Sequence, residues 1–108
     1  MNQKILDLIQ RRRLQILVHS CIYYELDSNL ISDKQWDEWA RELVNLQKEN
    51  LEESENAPWY GVFKDWDAST GAFLPLKNEW VMKKAKWLLA QNQKSAKPKK
   101  QKKGGKLF

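Results

Sequence analysis

YYELDSNLISDKQWDEWAREL, residues 23–43, holds the end of one apolar segment, a polar turn and the start of another. Ser28 and Asn29 favour a turn because their side chains bond to nearby backbone groups. Ser32 then opens SDKQ, a Ser-x-x-Gln capping box whose hydroxyl and amide satisfy orphan backbone donors at a helix start. Asp33 sits at the positive end of that helix's dipole. The connection is short, so the flanking segments are expected to form an antiparallel helical hairpin.

Upstream, residues 2–26 read as a first helix. Leu6, Ile9, Leu17, Cys21 and Tyr24 fall on one side, and Leu14, Val18 and Ile22 widen the apolar arc in the second half. Arg11, Arg12 and Arg13 interrupt the first half, which is expected to be the more exposed. Downstream, a second helix runs from Asp33 to about Asn50. Trp36, Trp39, Ala40, Leu43, Val44 and Leu46 share one arc; Glu38, Arg41, Asn45, Lys48 and Glu49 share the other. EESENAP reads as a polar linker ending at Pro58. Residues 56–76 read as an aromatic-rich loop or a short β-hairpin with Asp67–Thr70 at its tip. Residues 78–91 read as a third helix, with Trp80 and Trp87 seven apart beside Val81, Lys84 and Leu88.

The expected fold class is therefore mostly α: a helical hairpin and a third helix, joined by the aromatic segment, in one small domain over residues 1–92. A length of 108 residues fits one domain with a modest core. The formal charge of +5 is unevenly spread. From Lys94 onward there are seven lysines and no acid, which leaves 12 basic and 14 acidic residues upstream, about −2 in all. Residues 93–108 read as a disordered basic tail with too little apolar surface to order itself. Cys21 is the single cysteine, so no intramolecular disulfide forms and an intracellular setting is expected. The opening residues lack the apolar run of a signal peptide. No stretch approaches the roughly 20 apolar residues of a membrane helix. A soluble, cytoplasmic protein is the expectation.

The turn also gathers chemistry. Asp33 and Asp37 lie one helical turn apart with Trp36 between them, and the hairpin returns Tyr23 and Tyr24 to the same end. Two carboxylates and up to three aromatic faces would line one notch. Such a notch suits a flat cationic ring: aromatic faces attract it through their quadrupole, and carboxylates add charge and accept hydrogen bonds. An aromatic core corner dressed with solvated carboxylates accounts for the same residues, with Asp37 paired to Arg41 at i,i+4.

Residues 23–50, YYELDSNLISDKQWDEWARELVNLQKEN, resemble the N-terminal small domain (Ia) of bacterial NAD-dependent DNA ligases. That family shows a Tyr pair, an Asp three positions on, a Ser-Asp, then Tyr-Asp and Glu-Leu. These fall here on Tyr23–Tyr24, Asp27, Ser32–Asp33, Trp36–Asp37 and Glu42–Leu43. The similarity is ungapped and covers residues 14–50, about a third of the chain. It implies that Tyr23, Tyr24, Asp33, Trp36 and Asp37 bind the nicotinamide mononucleotide (NMN) half of NAD. Trp36 keeps the family tyrosine's stacking face without its phenolic oxygen, and Asn29 replaces the turn proline. No Lys-x-Asp-Gly nucleotidyl-transfer motif occurs; Lys64-Asp65-Trp66-Asp67 lacks the glycine. The resemblance therefore implies a non-catalytic NMN- or NAD-binding module and not a ligase. The chain also resembles small phage proteins, which would place it in a bacterial host's cytoplasm, but this brings no known activity.

Two other partner classes stay open. Lys94, Lys97, Lys99, Lys100, Lys102, Lys103 and Lys106 could contact DNA or RNA by salt-dependent phosphate binding, as in a nucleic-acid-associated accessory protein, or they only solubilise. Exposed tryptophans, with Trp59 and Trp66 as candidates, could serve a protein-interaction or phage inhibitor role. Arg11 to Arg13 are poor phosphate partners, since roughly 16 Å of helix separates Arg13 from Tyr24. DWDASTG, residues 65–71, reads as a turn with Asx bonds and not as a metal loop. His19 and Cys21 read as structural, and no metal is expected.

Overall fold

The computed structural model describes residues 1–95, with side chains described through Asn92. Five helices follow in order: α1 Gln3–Tyr24, α2 Asp33–Glu49, α3 Leu51–Asn56, α4 Tyr60–Phe63 and α5 Glu79–Ser95. The fold is mostly helical, and the described residues contain no strand. The aromatic segment is a loop with short helical turns, so the β-hairpin alternative is corrected. The third helix of the sequence reading is α5, which runs on to Ser95.

α1 is the central element and packs on α2, α3 and α5. Gln15 to Ile22 are buried on every side, which an apolar arc on one face does not anticipate. Each large apolar side chain among them stabilises the fold by about 1.5–3 kcal/mol relative to exposure. Asn2 caps α1 by accepting from the Ile5 backbone N–H, and Ser32 caps α2 by accepting from Gln35. The chain leaves α1 through Asp27 in the left-handed region at φ 52°, a conformation that Asp tolerates better than most residues. The pair is antiparallel: Ser20 meets Trp36 early in α2, whereas Arg12 and Arg13 reach Glu42 and Gln47 towards its end. α5 closes the core with Val81, Ala85 and Leu88.

Two expectations fail at the far end of the hairpin. Residues 52–56, read as part of a polar linker, lie in α3. Arg13, read as part of an exposed stretch, is fully buried. The two failures have one cause. Arg13 Nε donates to Gln47 Oε1 at 2.8 Å, and its terminal nitrogens donate to the Ser54, Ala57 and Pro58 carbonyls and the Ser54 hydroxyl. Carbonyls at the end of a helix have no partner of their own. The guanidinium fork supplies those partners, and its charge opposes the helix dipole there. Burial lowers the Arg13 pKa to about 10, so the side chain stays charged at neutral pH. Arg12 is half-buried, ion-paired with Glu42 at 2.7 Å and seated 5.7 Å over the Trp39 ring. Of the three arginines, Arg11 alone is exposed.

Candidate functional site

At the opposite end of the hairpin, a cleft of about 430 Å³ opens between the last turn of α1, the connection and the start of α2. Tyr23, Tyr24, Asp33, Trp36 and Asp37 all line it, together with Ser32, Asn29 and His19. All five sequence-predicted residues therefore line one cleft. Tyr24, assigned by periodicity to the core side of α1, is about half-exposed like Tyr23, because the helix ends where the cleft begins. The two tyrosine rings stand edge to face at 4.9 Å and 89°, forming a right-angled aromatic corner.

Trp36 is held on two sides. Its indole N–H donates to Ser20 Oγ at 3.1 Å, and its ring meets Trp66 edge-on at 6.0 Å. Asp37 accepts from Arg41 at 2.9 Å with both side chains well exposed, a pairing worth little in water. It leaves the Asp37 carboxylate on the cleft wall. His19 lines the cleft while almost wholly buried, and its ring is tilted against Trp39 at 5.7 Å. Cys21 is buried within the helix packing and donates to the Leu76 carbonyl at 3.3 Å, and burial pushes its thiol pKa up.

Sequence reading missed the third wall. Ser69, Thr70 and Gly71 cross from the aromatic loop and complete the cleft. Thr70 links to Tyr24 through their hydroxyls at 3.3 Å, and its carbonyl accepts from Trp66 Nε1 at 2.9 Å. Gly71 lies against Ser20 and Trp36 so closely that a Cβ would collide with the Ser20 hydroxyl. The only local signal was the Asx turn, which forms as expected: Ser69 N–H donates to Asp67 Oδ1 at 2.9 Å. Bonds from the Ser69 hydroxyl and backbone N–H hold the Asp67 carboxyl below its ordinary 3.8. A carboxyl depressed on folding stabilises the turn above its unfolded pKa, and that contribution is lost as pH falls through the folded value. The Asp67 carboxyl carbon should accordingly titrate by NMR with a midpoint under 3.8, and Ser69→Ala should move the midpoint upward.

The tryptophans are also redistributed. Trp59 and Trp66 are partly buried against the core, whereas Trp80 and Trp87 are about half exposed. Lys94 falls in the last turn of α5, and Lys97, Lys99, Lys100, Lys102, Lys103 and Lys106 lie outside the described residues.

Fold and site together define a small helical domain with an aromatic, acidic cleft at a helix-turn-helix corner. Over 58 residues, 53% of the chain, the sequence is 41% identical to a DNA ligase of Bacteroides fragilis. The chain spans 9% of that protein's length, and the similarity fits a DNA ligase-related domain. No protein-family model matches the chain, and no solved structure matches it. No helix among the described residues is long and apolar enough to cross a membrane.

Proposed function

We propose that the chain is a non-catalytic module that binds a nicotinamide nucleotide, NMN or NAD, in the hairpin cleft. The observation that carries this reading is that Tyr23, Tyr24, Trp36, Asp33 and Asp37 line the same cleft. The volume of about 430 Å³ lies within the roughly 300–1,000 Å³ usual for small-ligand sites. The tyrosine corner and Trp36 offer stacking faces to the pyridinium ring, each worth about 0.5–2 kcal/mol depending on desolvation. Asp33 and Asp37 accept from the carboxamide or ribose and balance the ring's charge. The similarity to part of a DNA ligase supports a nucleotide ligand. The missing Lys-x-Asp-Gly motif argues against adenylation chemistry in this chain.

Charge sets an order among ligands. Among the described residues no lysine or arginine lines the cleft, and two carboxylates there repel a phosphate. Affinity for the mononucleotide is expected to be weak, and nicotinamide riboside is expected to bind at least as tightly. Calorimetric titration with nicotinamide riboside, NMN and NAD tests both points. Asp33→Asn and Tyr23→Ala alter exposed side chains, spare the core and should each weaken binding by about five- to ten-fold. Absence of any heat or chemical-shift change at millimolar ligand would refute the proposal.

A further inference from the structure

α5 carries a surface that the hairpin cleft does not use. Val81, Ala85 and Leu88 bury one side of this helix. On its flank, Trp80 and Trp87 are 47% and 52% exposed, with exposed Lys83 and half-buried Lys84 between them in sequence. Tryptophan is among the most extensively buried residue types on average, so two half-exposed indoles on one helix face stand out. They are seven residues apart and therefore repeat on the same face about 10 Å from each other. Lys84 Nζ sits 4.5 Å from the Trp87 ring centroid, a cation–π contact that restrains the indole and keeps the ammonium beside it. Charge is polarised along the chain in the same sense. The first 76 residues hold eight basic and thirteen acidic side chains, whereas from Lys77 onward there are eleven lysines and one acid, Glu79.

We propose that the Trp80–Lys83–Lys84–Trp87 face of α5 binds single-stranded nucleic acid. Aromatic faces stack on unpaired bases, and lysines between them neutralise the backbone that joins those bases. A spacing of about 10 Å matches bases three steps apart on a stacked strand at about 3.4 Å per nucleotide. A protein partner fits less well, because lysine is depleted at the cores of protein interfaces. Duplex DNA fits less well too, since its base faces are already stacked on each other. A membrane surface would need the apolar side of α5, which is committed to the core.

Fluorescence anisotropy of the full chain with labelled oligo-dT and oligo-U of about 15 nucleotides tests the proposal, with a duplex of equal length alongside. Either single strand should bind more tightly than the duplex, with affinity falling as salt rises, and the two arms distinguish DNA from RNA. The Trp80→Ala/Trp87→Ala double variant should lose at least about ten-fold in affinity, and Trp80→Phe/Trp87→Phe should recover most of it. Lys83→Ala/Lys84→Ala should lower the slope of log affinity against log salt by about one. Circular dichroism melting verifies that these exposed substitutions leave the fold intact. No binding at low salt, equal binding to duplex, or unchanged affinity in a folded double alanine variant would each overturn the proposal.

Discussion

Arg13→Ala is expected to lower folding stability by about 2–4 kcal/mol, because truncation leaves neutral acceptors unpaired and opens a cavity. The side chain donates five hydrogen bonds that join α1 to Gln47 in α2 and to the end of α3. Truncation leaves the Ser54, Ala57 and Pro58 carbonyls without this donor and opens a cavity in a fully buried site. Urea denaturation should show a lower midpoint, and amide exchange should quicken first in α3, which has six residues and leans on this contact. Arg13→Lys should recover little, because an ammonium on a flexible stem cannot reproduce the planar fork. A loss under 1 kcal/mol for the alanine variant would mean that α3 is held by other contacts.

Gly71→Ala should act at the other end of the hairpin, with a stability loss of about 1–3 kcal/mol from overpacking. The glycine has no positive φ, so backbone freedom is not the issue; space is. A Cβ there would collide with Ser20 Oγ, lie 3.0 Å from Ser20 Cβ and 3.3 Å from Trp36 Cζ2. Ser20 is almost wholly buried and its hydroxyl holds the Trp36 indole, so the serine has little room to yield. The loop must lift instead, taking the third wall of the cleft with it. The Trp36 indole N–H resonance should shift, and any affinity of the cleft for nicotinamide riboside should fall further than the stability loss alone explains. An unchanged indole resonance would show that the loop absorbs the methyl group without disturbing the cleft.

These two positions mark the boundary between what was legible in the sequence and what was not. The hairpin was legible because its signals are local: a Ser32 cap, a short turn, and an apolar arc on α2 at helical period. The five cleft residues were legible for the same reason, since a hairpin's bend brings both flanks of a short turn together. Arg13 and Gln47 were not. Side chains of these types usually face water, and their burial depends on partners more than 30 residues away that no local pattern encodes. The Ser69–Gly71 wall was equally hidden, because its seat on Ser20 and Trp36 is a long-range contact made by a loop without periodicity.

The amino-acid order alone thus determined the helices at the hairpin and the gathering of rings and carboxylates at its bend, since caps, turns and helical period act within a few residues. Only the tertiary structure decided that three chain segments, not two, enclose the cleft, that an arginine in a basic run holds α3 in place, and that Trp80 and Trp87 face outward. The reason is physical: which side of a helix is covered depends on what packs against it. α1 is surrounded by three helices, whereas α5 meets the core with one face.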